Sequence, residues 1–89
     1  MATRLTRRPL SISENVSKLG SDCTGIDGEN SRTLNLANLD DHNSETLVKS
    51  GITLHLTTDY TITRQAGGSI VTFIIAVFDA DVITGVLFQ

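Results

Sequence analysis

Few residues in this chain have side chains suited to chemistry, and their spacing does not favour it. Cys23 is the one thiol, and His42 and His55 are the two imidazoles able to serve it as a base. A cysteine nucleophile needs such a base held by a third group in a formed pocket, and a core this small offers little pocket. Asp40-Asp41-His42, with His55 further on, combines carboxylate and imidazole donors of the kind divalent metals take. Two adjacent aspartates in a polar turn are expected to be solvated instead. Asp27-Gly28-Glu29-Asn30 has the flavour of a calcium loop, but Gly25 and Ile26 stand where alternating oxygen ligands would be needed. Gly67-Gly68 is followed by no Lys and opens no helix, so it is not a phosphate cradle. The expectation is a non-enzymatic chain with no cofactor, no metal and no small-molecule substrate.

Charge points to contact rather than catalysis. Arg4, Arg7 and Arg8 fall within the first nine residues, which contain no acid, whereas Asp22 to Glu45 is acidic apart from Arg32. A short basic arm docks on an acidic partner surface. Nucleic acid is the less expected partner, because three charges give a small electrostatic footprint and the whole chain carries a formal charge of -3. His55 alternates away from Leu54 and Leu56 and is expected on solvent or at an interface. The chain has 89 residues, 4% aromatics, no Trp and one Cys, so neither a disulfide framework nor a Cys-rich zinc cluster is available to it. A domain this small commonly leans on a partner or on self-association. No apolar stretch of signal-peptide length follows the arginines, and Phe73 to Phe78 is far shorter than a bilayer span, so no membrane is expected. Asn15-Val16-Ser17 is formally a glycosylation sequon, without a signal peptide to expose it.

The elements that would position these residues divide the chain into a basic arm (1–9), an extended, loop-rich segment (10–45) and a β-domain (46–89). Ser13 as N-cap, Ile12, Val16 and Leu19 on one face and Gly20 as terminator suggest a two-turn helix, with an extended reading of Leu10 and Ile12 as the alternative. Residues 20–33 read as loop, and Leu34-Asn35-Leu36 as a weak strand or a single turn. Beyond them Thr46–Lys49, Ile52–Leu56, Asp59–Thr63, Ile70–Phe78 and Val82–Phe88 read as strands separated by Ser50-Gly51, Gln65-Ala66-Gly67-Gly68 and Asp79-Ala80-Asp81. The fold class expected is mainly β, a small antiparallel meander or sandwich. No repeat of fixed period stands out. The block Ile70–Phe78 is apolar on both alternating faces. One set is Ile70, Thr72, Ile74, Ala76 and Phe78, and a sheet that leaves this set uncovered would present Ile70, Thr72, Ile74 and Phe78 as an interface.

The run Gly51–Gln89 resembles a β-module found near the N-termini of bacteriophage tail fibres and tailspikes. The matching pieces are Thr58-Asp59-Tyr60-Thr61-Ile62, Gly67-Gly68, Ile70-Val71-Thr72-Phe73 and Asp79-Ala80-Asp81-Val82-Ile83. The chain departs from that pattern at Ile74–Phe78, which is more apolar, and at Gly85–Phe88. The resemblance implies a structural virion protein, tail- or fibre-associated, that joins one virion component to another. Its expected partners are further copies of the chain, as a homo-oligomer with a trimer favoured, and other virion proteins. Partner contacts are expected from Arg4, Arg7, Arg8, Ile70, Thr72, Ile74 and Phe78. The alternatives are a capsid decoration protein and a small cellular adaptor that binds its partner by sheet-edge pairing. The closing Val86-Leu87-Phe88-Gln89 is similar to the sequence preceding the bond cut by picornavirus-type 3C proteases.

Overall fold

The structure, a computed structural model, describes residues 13–89. Among the described residues, seven strands make two antiparallel sheets, and one short 3-10 turn joins the first two strands. The strands are β1 (Ser13–Leu19), β2 (Thr33–Asn35), β3 (Ser44–Lys49), β4 (Ile52–Leu54), β5 (Tyr60–Thr63), β6 (Ile70–Phe73) and β7 (Val82–Phe88), with the turn at Gly20–Asp22. One sheet has the order β1-β7-β3-β4 and the other β2-β6-β5. The fold is therefore mainly β, as expected. Its core is built from the inner faces of both sheets: Leu47, Leu54, Ile83 and Leu87 from the first, and Leu34, Tyr60, Val71 and Phe73 from the second, with Leu36, Val77 and Cys23 from the connections.

The second half is more than a meander. β3 and β4 form a hairpin whose two-residue turn, Ser50-Gly51, has φ of 49° and 87°, the left-handed pair that a tight primed turn requires. β5 and β6 form a second hairpin. β7 then leaves its sequence neighbour β6 and inserts between β1 and β3 in the other sheet. The first half takes part in both sheets, since β1 pairs with β7 and β2 with β6.

Two expectations are corrected. The helix expected within Leu10–Gly20 is strand β1 from Ser13 on, and Leu10 and Ile12 lie outside the described residues. Glu14, Val16 and Lys18 turn inward and are half-buried, while Ser13, Asn15, Ser17 and Leu19 are exposed. Two helical turns would stand close to the nucleation limit, whereas all seven residues of β1 find partners along β7. The strand placed over Ile70–Phe78 ends at Phe73. Beyond it the chain hydrogen-bonds to loops: Ile74 N donates to Asp59 O, Gly28 N to Val77 O and Val77 N to Glu29 O. Val77 is buried, Ile75 packs on the core from the side, and Ile74 and Phe78 are exposed.

β1 and β3 share a pattern. Ser13-Glu14-Asn15-Val16-Ser17-Lys18-Leu19-Gly20 and Ser44-Glu45-Thr46-Leu47-Val48-Lys49-Ser50-Gly51 both read Ser-Glu-x-(Val/Leu)-x-Lys-x-Gly. They lie on opposite sides of β7 in one register, giving inward rows Glu14–Leu87–Glu45, Val16–Gly85–Leu47 and Lys18–Ile83–Lys49. Gly85 makes the middle row possible: a Cβ there would lie 2.6 Å from Leu47 Cδ2 and 2.9 Å from Thr46 O.

Candidate functional site

Alternation along β1 and β3 points Glu14, Lys18, Glu45 and Lys49 to the inner face, and these are all the charged residues of the four-stranded sheet. Two of them anchor polar clusters, Glu45 at one end of the sheet and Lys49 at the other. Glu45 sits where its neighbour Leu47 is fully buried, so its carboxylate leaves water and must be satisfied by protein. Oε1 meets His42 Nε2 at 2.7 Å and Arg64 Nε at 2.8 Å. Oε2 accepts from Tyr60 Oη at 2.8 Å and from Arg64 Nη2 at 3.2 Å. Burial would raise this carboxyl, but the bonds from Arg64, Tyr60 and His42 outweigh it and hold Glu45 below the usual range. Burial and the adjacent Glu45 together push Tyr60 far above its ordinary value. At the other end, Asp81 Oδ2 accepts from Phe78 N at 2.8 Å and faces Lys49 Nζ at 3.4 Å, while its Oδ1 accepts from Ser50 Oγ at 2.8 Å.

The network extends past Glu45. Ser69 Oγ lies 3.5 Å from His42 Nδ1, which sets serine, imidazole and carboxylate in the order of a hydrolytic triad. The surroundings assign it another task. Ser69 is 0% exposed, so no substrate carbonyl reaches its hydroxyl. Oγ accepts from Gln65 N at 3.1 Å and lies 3.2 Å from Gln65 O, closing the turn between β5 and β6. Asn38, also buried, accepts from Ser69 N and donates to Asp40 O and Gln65 O. This cluster ties the loop before β3 to the β5–β6 hairpin.

A second buried charge organises the other end. The Arg32 guanidinium donates to Val77 O at 2.7 Å, Thr24 O at 2.8 Å and Asp79 Oδ1 at 2.8 Å, and reaches Cys23 O at 3.4 Å. It holds the loop after the 3-10 turn against the segment that follows β6.

The sequence-predicted chemical residues are not brought together. Cys23 is buried, and burial pushes its thiol up despite the opposing pull of Arg32, which leaves it a thiol rather than a thiolate. No hydrogen bond joins it to His42 or His55. His42 is in the interior, while Asp40, Asp41 and His55 are exposed. Among the described residues, no three His, Cys, Asp or Glu side chains are grouped to hold a metal, and no helix is long and apolar enough to cross a membrane.

The surfaces are more informative. The outer face of the four-stranded sheet displays Ser13, Asn15, Ser17 and Leu19 from β1, Val82, Thr84, Val86 and Phe88 from β7, Ser44, Thr46 and Val48 from β3, and Thr53 from β4. None carries a charge. Leu19, Val82 and Phe88 are 50%, 45% and 41% exposed. The outer face of the three-stranded sheet is also uncharged, with the rows Thr33–Thr72–Thr61 and Asn35–Ile70–Thr63. Ile70 and Thr72 are half-buried there; Ile74 and Phe78, expected with them on one strand face, are exposed beyond the strand, and the Phe78 ring closes over Gly28. Arg4, Arg7 and Arg8 lie outside the described residues. The Glu45 network went unforeseen, although Glu45 stands two residues from Leu47 in one alternating run.

No family model, no curated protein and no solved structure matches this chain.

Proposed function

We propose that the chain is a non-enzymatic structural protein of a tailed-bacteriophage virion, tail- or fibre-associated, which self-associates and docks on another virion protein. The observation that carries this reading is the charge arrangement of the four-stranded sheet. All of its charged residues turn inward, where Glu45 in particular has to be satisfied at the expense of desolvation, while the outer face is uncharged and bears exposed Leu19, Val82 and Phe88. A face of that composition loses little on leaving water and suits burial against protein. The second uncharged face, through Ile70 and Thr72, and the exposed Ile74 and Phe78 extend the surface available to a partner. The buried polar residues lock turns to sheets, as a mechanical module requires. The tail-fibre resemblance of Gly51–Gln89 supplies the setting, and the basic run Arg4, Arg7 and Arg8 supplies a docking arm for an acidic partner surface.

The test is compositional. Particles of the phage that encodes the chain, purified and analysed by quantitative mass spectrometry, contain it at a fixed copy number, and a chain lacking residues 1–9 fails to rebind particles stripped of it. Its absence from purified particles contradicts the reading.

A further inference from the structure

β1 lies at the edge of its sheet, and among the described residues only one of its sides is paired. Gly20 N donates to Asp81 O at 2.7 Å, one step beyond the Leu19–Val82 pair. Alternation then turns the backbone groups of Glu14, Val16 and Lys18 toward β7, and those of Ser13, Asn15, Ser17 and Leu19 away from it. The Leu19 amide agrees with this direction, since it is taken by Asp22 Oδ2 at 2.9 Å. The matching side of β3, which shares the sequence pattern of β1, is filled by β4 through the Ser50-Gly51 hairpin. β1 has the same register on β7, but its chain leaves through Gly20 into the 3-10 turn, and among the described residues nothing equivalent to β4 follows.

We propose that the open side of β1 pairs with β1 of a second copy of this chain, antiparallel, about a two-fold axis that runs between Val16 and its copy. This rests on the self-association in the reading above and gives it a surface and a symmetry, a two-fold pair in place of the favoured trimer. Charge complementarity selects the occupant. With Val16 opposite its own copy, Asn15 meets the copy's Ser17 as a hydrogen-bonded pair, and Glu14 stands directly opposite the copy's Lys18, twice by symmetry. A parallel arrangement would set Glu14 beside Glu14 and Lys18 beside Lys18. Shifting the antiparallel register by two residues would separate the charges. Asp22, capping Leu19 N, limits the ladder to this short stretch. The product is one continuous sheet, β4-β3-β7-β1 joined to its two-fold copy, whose uncharged outer face is doubled in width. An edge contact of this length is at the small end of stable interfaces, so association in the micromolar range is expected.

The experiment is a charge swap on the full chain, read by sedimentation velocity over a concentration series, with circular dichroism as the check on folding. Lys18→Glu sets two like-charged pairs opposite each other and weakens the dimer about tenfold or more. Adding Glu14→Lys restores the pairs in the opposite sense and recovers the dimer, even though Glu14 also accepts from Leu39 N within its own chain. In a Cys23→Ser background, Val16→Cys crosslinks two chains on oxidation, because directly opposed non-hydrogen-bonded positions fit disulfide geometry. An oligomer indifferent to Lys18→Glu, or a trimer, overturns the β1 pairing while leaving self-association standing. A chain that stays monomeric throughout overturns both. A full chain that is monomeric and dimerises only after residues 1–12 are removed assigns the edge to the chain's own N-terminal segment and overturns the proposal.

Discussion

Tyr60 Oη donates to Glu45 Oε2 at 2.8 Å, a bond that runs from β5 of one sheet to β3 of the other. Both side chains are almost fully buried, and Arg64 and His42 complete the carboxylate's shell. The sheets are thus joined by one saturated ion cluster as well as by apolar packing. Removing the carboxylate takes the partner from three residues at once, Tyr60, His42 and Arg64, whereas removing the tyrosine hydroxyl strands one acceptor site among several. Glu45→Ala is therefore expected to cost about 3–5 kcal/mol and Tyr60→Phe about 1–2 kcal/mol. Urea unfolding of the two variants beside the parent chain checks the ranking, and equal losses would count against the cluster.

Acid should unfold the chain through the same groups. Glu45 and Asp81 are both held below the ordinary carboxyl range. A folded-state value lower than the unfolded one adds stability that is fully present above the unfolded value, near pH 4–5, and is lost as pH falls through the folded value. Stability is expected to be level from about pH 5 to neutrality and to drop below about pH 4. In the alkaline direction Tyr60, raised in the fold, makes stability fall once pH passes about 10. Denaturation midpoints measured from pH 3 to 11 test both limbs, and a flat acid limb would contradict the Glu45 assignment.

Gly85 is the narrow point of the inner face, between Val16 and Leu47. An added methyl meets a leucine side chain that can turn and a backbone carbonyl of β3 that cannot move without shifting the strand. Gly85→Ala is expected to lose about 1–3 kcal/mol by overpacking. Thermal melts of Gly85→Ala and of Gly67→Ala give the comparison. A methyl at Gly67 would have no neighbour within 4 Å and would be strained only by the φ of 82°.

Much of this fold was readable where alternation is strict. Ile52-Thr53-Leu54 and Tyr60-Thr61-Ile62 carry a period of two between glycine turns, and both are strands. Ser13–Leu19 was not, because Val16 and Leu19 also satisfy a helical spacing. The choice is made by β7, at the far end of the chain and silent in any local window. Ile70–Phe78 failed for the opposite reason. Its residues suit a strand throughout, but Arg32 and the loop at Gly28 capture Val77 and bend the chain away after Phe73. The candidate surface was half legible: Ile70 and Thr72 do face outward, while the uncharged face of the larger sheet emerges only when β1, β7 and β3 are aligned.

Size-exclusion chromatography with light scattering on the full chain, at about tens of micromolar and near-physiological salt, tests the proposed self-association most directly. The expected mass is close to twice the 9.6 kDa of one chain, falling toward one on dilution. A folded, monodisperse 9.6 kDa species across that range would contradict it.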